Sequence, residues 1–266
     1  MNLDTNRPIV FGVAPYINVA PLAAFIPVVS PRGRVLTIDT PAHLPSRVMD
    51  GTADAAIIPV IDLFDHPFDM VPGIGICAEA TVQSVLLKCN RPLRQVRTVA
   101  MDRASHTSNA LTYILLRESF GLNPQMLPGG SGTCDAEVVI GDRALSVPAA
   151  PCGDCDLAEL WHALTGLPFV FAVWGYRKDN PQAEQLAAIA HAARRAGLAA
   201  VGDLARQEAR RTGLDEARIR NYLQIVLYYN VGEREQSAMA LFRQLVSKYA
   251  AELPSRADAT ASREAV

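Results

Sequence analysis

Short apolar runs broken by glycine and proline alternate with helically spaced segments as far as Asn180, beyond which the spacing is helical throughout. Ile9 to Val13 reads as a strand, and Asn18 to Phe25 as a short helix after a turn holding Pro15. Val35 to Ile38 is a second strand, Pro41 to Met49 a helix closed by Gly51, and Ala53 to Ile58 a third strand. Strands and helices alternating in this order favour an open parallel sheet with right-handed crossovers. Val82 to Cys89 is a longer strand, with the stretch around Pro92 and Arg94 as a crossing point. A second set begins with strand Thr98 to Met101 and helix Ser108 to Phe120, ended by Gly121. Strand Ala136 to Ile140, helix Leu157 to Leu164 ended by Gly166, and strand Phe169 to Trp174 complete it, with a Pro/Gly/Cys-rich loop from Pro148 to Gly153. The later helices are Pro181 to Ala196, Leu198 to Arg211, Asp215 to Val226 and Gly232 to Tyr249, and the polar tail after Pro254 reads as frayed or disordered.

Two α/β sets and a helical return predict two lobes, one of them discontinuous. The first takes residues 1–90 with 176–254, the second 91–175, and 255–266 form the tail. This plan resembles the type II periplasmic-binding-protein fold, an α/β architecture with a ligand cleft between lobes and a helical C-terminal segment. At 50% hydrophobic and 20% charged residues the composition is that of an ordinary globular protein. A net charge of -2, with basic residues spread along the chain, argues against a nucleic-acid partner. The densest basic spot, Arg206, Arg210 and Arg211, reads as a solvated helix face. No signal-like h-region opens the sequence and no apolar stretch reaches membrane length, so the expectation is a cytoplasmic protein without a membrane partner. Five irregularly spaced cysteines then read as reduced thiols.

Particular words in the sequence carry a family likeness. Tyr16-Ile17-Asn18 with Pro21-Leu22, Gly51 to Ala56 around Asp54, and Gln83-Ser84-Val85-Leu86-Leu87 are three of them. Ser105-His106-Thr107-Ser108, Ile140 to Leu145, Gly166 to Trp174 and Tyr222 to Tyr228 are the others. Together they resemble the chorismate dehydratases of the futalosine route to menaquinone. Two departures stand out: Gln83 occupies a position where that family often has glycine, and Cys77-Ala78-Glu79-Ala80 replaces its usual Ser-Asp-Gly-Pro. The sister enzymes that form dihydroxynaphthoate share the architecture, but their Ser-Pro-x-Pro-Asn-Asp opening is absent.

The resemblance implies chorismate as substrate, loss of water as reaction, and 3-[(1-carboxyvinyl)oxy]benzoate as product. Ser105, Thr107 and Ser108 precede an apolar helix, so one of them caps it; the resemblance adds binding of a substrate carboxylate at that helix start. Asn18 suits a turn or cap on its own, whereas the family likeness places it, with Ser84 and Tyr16, against the substrate. Asn18 and Ser84 are the candidate partners of the departing hydroxyl. Asp142 is a candidate substrate contact, with a salt bridge to Arg143 or a structural turn as the alternatives. The five histidines are scattered and read as exposed, and no metal cluster or phosphate-cradling loop emerges. With no base in evidence, the substrate's own enolpyruvyl carboxylate is the candidate proton acceptor, and the chemistry calls for no cofactor. Cys152 and Cys155 form a C-x-x-C pair without the setting of a thioredoxin or zinc site. The competing reading is a non-enzymatic anion-binding module of the same fold.

Overall fold

A computed structural model describes residues 7–253 except 39, 66, 131 and 132. The expected tail 255–266 and His66 lie outside the described residues. In chain order the strands are β1 (Ile9–Val13), β2 (Gly33–Thr37), β3 (Ala55–Pro59), β4 (Phe68–Ala78), β5 (Val85–Cys89) and β6 (Thr98–Ala100). They continue with β7 (Gln125–Leu127), β8 (Ala136–Ile140), β9 (Asp154–Asp156), β10 (Phe169–Arg177) and β11 (Leu227–Tyr228). The α-helices are α1 (Ala20–Ala23), α2 (Ile26–Val29), α3 (Leu44–Met49), α4 (Asp62–Asp65), α5 (His106–Phe120) and α6 (Gly141–Ser146). After them come α7 (Leu157–Thr165), α8 (Ala183–Ala199), α9 (Val201–Thr212), α10 (Glu216–Asn221) and α11 (Glu233–Lys248).

The chain divides into two units, Met1–Ile76 with Ala172–Val231, and Cys77–Phe171 with Gly232–Val266. This differs from the expected division, which gave 77–90 and 232–254 to the first lobe and 172–175 to the second. The reason is pairing. β5 hydrogen-bonds to β8 and β9, with Leu87 opposite both Val138 and Cys155. Phe242 of α11 packs edge-on against Trp161 and Phe169 at 6.0 and 5.1 Å. Both segments therefore belong to the second unit's core.

The first unit is built on a six-stranded sheet in the order β11-β4-β10-β3-β1-β2. β1 is parallel to β2 and β3, as the alternating pattern predicts, but β10 runs antiparallel to β3 with Trp174 opposite Ile57. The sheet is thus mixed rather than parallel. Trp174 is fully buried and meets Phe11 edge-on at 5.3 Å. The expected helix over 18–25 is instead a 3-10 turn, Ile17–Val19, followed by α1 and α2. Pro21 and Pro27 each sit in the first turn of a short helix, where a missing N–H is harmless, so the chain restarts there. The expected helix ending at Val226 widens after Asn221 into a π turn, Tyr222–Val226. Tyr228 and Tyr229 then follow on and beside strand β11, not on a helix.

The second unit carries a five-stranded sheet in the order β7-β6-β8-β5-β9. β6 is parallel to β7 and β8, whereas β5 is antiparallel to β8 and β9. Its core joins Trp161, Phe169, Phe171 and Phe242, and the Trp161 indole donates to the Pro168 carbonyl at 2.9 Å. α5 and α7 end where the sequence says they should: Gly121 and Gly166 both adopt left-handed φ, 65° and 69°, which closes each helix without a Cβ clash. Among the described residues no helix is long and apolar enough to cross a membrane. Of the described histidines only His43 is exposed; His106, His162 and His191 are half-buried, against the expectation of exposure.

Candidate active site

Parallel strands deliver the residues that follow them to one edge of a sheet, where open α/β folds bind ligands. In the second unit that edge is the carboxyl end of β6 and β8, joined by the start of the antiparallel β5. Val85 pairs with Ile140, so Ser84 comes beside Gly141, whose N–H donates to the Ser84 carbonyl at 2.8 Å. The loop after β6 leads through Asp102 to Ser105, the cap of α5. Ser84, Ser105, Thr107, Ser108 and Asp142 thus share one sheet edge.

The polarity of this edge is largely hidden. Ser84, Thr107 and Ser108 are only 1–2% exposed, and Ser105, Asn109 and Thr112 are buried with them. Ser105 Oγ accepts from the Ser108 N–H at 3.1 Å and donates to Ser108 Oγ at 2.8 Å. Capping is therefore part of what these serines do. Their helix is long enough for its positive end to matter to an anion. Asn109 fastens the preceding loop, accepting from the Asp102 N–H at 2.9 Å and donating to the Asp102 carbonyl at 2.8 Å. Arg103, adjacent in sequence, is directed to the Gly129 carbonyl, with Nη2 at 2.7 Å. Asp142 lies half-buried in the first turn of α6, and Arg143 pairs with Glu137 at 2.8 Å. The donors gathered here are mostly uncharged.

Two carboxylates escaped the sequence reading. Asp102 accepts from the Ala104 N–H at 2.8 Å and faces the Ile140 N–H, and its burial pushes its pKa above the ordinary carboxylate value. An Asp just past a strand, followed by a helix cap, was the available signal for such a turn. Asp156 is the more consequential. One of its oxygens accepts from Ala158 and Glu159 at the start of α7, at 2.9 and 3.3 Å. The other accepts from the Thr81 hydroxyl and the N–H groups of Val82 and Gln83, at 2.8, 2.9 and 2.7 Å. Asp156 with Glu159 before an apolar helix is a capping pattern visible in sequence; its second grip on the loop before Ser84 is not.

That grip bears on the departure at Gln83. Gln83 has φ 60° and is the only non-glycine residue with positive φ among those described. A side chain there costs roughly 1–2 kcal/mol relative to ordinary backbone. The position where the resembling family often has glycine is therefore one whose backbone asks for glycine, and the Asp156 carboxylate holds it in that shape.

Tyr16 and Asn18 belong to the first unit, in the turn after β1, and are both half-buried. Tyr16 helps line a cavity of about 350 Å³ with Val19, Ala20, Ala23, Pro27 and Thr37. Asn18 Oδ1 is buried without a hydrogen-bond partner among the described residues. A buried amide oxygen left in that state costs about 1–3 kcal/mol, so an arriving donor would be welcome. Asp54, in another of the matched words, is structural: it accepts from the Val10 N–H at 2.8 Å and pairs with Arg7. Among the described residues no three His, Cys, Asp or Glu side chains cluster to hold a metal ion.

Known proteins resemble this chain in sequence and in fold. A chorismate dehydratase from Thermus thermophilus is 32% identical, the match covering 82% of this chain and 88% of the relative. One from Campylobacter jejuni is 28% identical over 88% and 95% of the two chains. The periplasmic aliphatic sulphonate binding protein from Escherichia coli shares the fold, with a TM-score of 0.63 at 13% identity and 96% of each chain covered. The two-lobed, periplasmic-binding-protein-like α/β fold expected from the sequence is the one observed. The family described as menaquinone biosynthesis matches residues 9–248, and this chain belongs to that family.

Proposed function

We propose that the protein is a chorismate dehydratase, a hydro-lyase acting in the futalosine route to menaquinone. Family membership and two chorismate dehydratase relatives over most of the chain support the reading. The structural observation that carries it furthest is the buried, mostly neutral donor set at the start of α5, suited to gripping a carboxylate without an arginine.

Chorismate needs little chemical help beyond orientation, because losing water makes its ring aromatic. In the proposed reaction Ser105, Thr107 and Ser108 hold the ring carboxylate, with Tyr16 and Asp142 as further contacts. The enolpyruvyl carboxylate removes the proton from the ring carbon that bears the ether, and the electron pair spreads into the diene conjugated with the ring carboxylate. Hydroxide then leaves the neighbouring carbon, aided by Asn18 and Ser84, and takes up the abstracted proton as water. Asn18, whose amide oxygen has no partner among the described residues, is suited to orient that hydroxyl by accepting from it, its amide N–H being the group that can donate to the departing oxygen. Positioning and hydrogen bonding of this kind supply most of the rate in such eliminations. The reading also places the protein in the cytoplasm, which cell fractionation tests.

Incubation of the purified protein with chorismate tests the activity. Diene absorbance should disappear and the product mass should be that of chorismate less water. Loss of pyruvate, or binding without turnover, would reject the dehydratase in favour of another lyase or an anion-binding module. A chorismate analogue lacking the enolpyruvyl carboxylate should bind and not eliminate; rapid turnover of it would rule out the substrate as its own base.

A further inference from the structure

Three of the five cysteines meet at the open edge of the second unit's sheet. Cys89 ends β5 and its N–H donates to the Gly153 carbonyl at 3.0 Å, while Cys155 in β9 stands opposite Leu87. Side chains two residues apart on a strand share a face, so Leu87, Cys89 and Cys155 lie on the same side of this pair. Gly153, directly across from Cys89, has no side chain, which leaves Cys155 as the nearest one diagonally across the ladder. The Cys89 thiol donates to the Leu87 carbonyl, 3.8 Å from its sulfur. Cys152, the other half of the C-x-x-C pair, turns instead to the Asn90 carbonyl, 3.5 Å from its sulfur.

We propose that Cys89 and Cys155 form an oxidation site at which a hydroperoxide converts the two thiols into a disulfide. Cys155 is half-buried on the edge strand, where a small oxidant reaches it, and Cys89 lies buried behind it. The neighbouring Cys89 thiol pushes the Cys155 thiol down, and Cys155 together with burial holds the Cys89 thiol up. Cys155 is therefore the reacting sulfur, since the thiolate is the nucleophile. Its thiolate attacks one peroxide oxygen, the O–O bond breaks, and the sulfenic acid forms with release of water or alcohol after protonation. Cys89 then attacks the Cys155 sulfur, and the sulfenic hydroxyl leaves with the Cys89 proton as a second water. Two electrons pass from the sulfur pair to the peroxide. Diagonal pairs stand roughly 7–8 Å apart between Cα atoms, a little beyond ordinary disulfide reach, so closure draws the three-residue strand β9 towards β5.

The test uses the full chain, reduced and then treated with hydrogen peroxide in slight excess, with alkylation under denaturing conditions and mass analysis. The expected product is lighter by two hydrogens, keeps three of its five cysteines alkylatable, and yields a peptide joining Cys89 to Cys155 that dithiothreitol separates. Cys155→Ser and Cys89→Ser should each abolish the link, and Cys152→Ser should leave it. A Cys152–Cys155 link, or sulfinic acid on Cys155 with Cys89 still free to alkylate, would overturn the proposal. So would unchanged mass in the wild-type protein. None of these outcomes depends on turnover of chorismate.

Discussion

Replacing Asp156 by alanine removes an anchor shared by a helix and a loop, and its cost can be worked out bond by bond. The cap of α7 accounts for about 1 kcal/mol. The N–H groups of Val82 and Gln83 lose a charged acceptor, worth about 1 kcal/mol each once partial access to water is allowed for. The sum is about 3 kcal/mol. Asparagine keeps one acceptor oxygen and can serve the helix or the loop but not both, so Asp156→Asn should lose about half as much. Without the carboxylate, the left-handed backbone at Gln83 has lost what holds it. Gln83→Gly in the Asp156→Ala background should therefore recover about 0.5–1 kcal/mol, the strain relieved less the added freedom of the unfolded chain. Urea unfolding measures the stabilities, and hydrogen exchange at Val82 and Gln83 reports the loop directly. If Asp156→Ala stays within about 0.5 kcal/mol of wild type with both amides still protected, the shared-anchor argument is wrong.

Other expectations follow from single sites. Asn18→Ala should lower turnover of chorismate about 100-fold without lowering stability by more than about 1 kcal/mol, because the lost oxygen has no partner among the described residues and its burial is itself costly; a stability loss as severe as the loss of turnover would make it a structural cap. Gly197→Ala would place a Cβ against the Pro21 carbonyl oxygen and force α8 off α1. It should cost about 1–3 kcal/mol in a thermal or urea melt despite alanine's better helix propensity, and a more stable variant would refute the close approach. Asp135 is held below the ordinary carboxylate pKa by the Arg97 N–H, then by Thr98 and by Arg91 at 2.8 Å. Its contribution is present above the unfolded carboxylate value and is lost as pH falls through the depressed native one. Asp135→Asn should accordingly flatten the acid limb of stability against pH, and an unchanged limb would show that the carboxylate adds nothing there.

Local patterning by itself determined much of this protein. Apolar runs bounded by glycine or proline mark β1, β8 and the start of β10, and α5 and α7 stop at Gly121 and Gly166 because a left-handed residue must close each helix. Family words in the sequence also led to Ser84 and to Ser105, Thr107 and Ser108, which the structure sets on one sheet edge. β4 was missed because Pro72 and Gly73 interrupt it, and both read locally as breakers although the strand continues through them. Strand direction, the assignment of β5 and α11 to the second unit, and the double grip of Asp156 depend on pairings between residues far apart in the chain. Hydrophobic period and turn chemistry act over a few residues and are written in order along the sequence. Which strand lies beside which, and which loop a carboxylate reaches, is settled only when distant segments compete to bury the same surface and satisfy the same backbone donors.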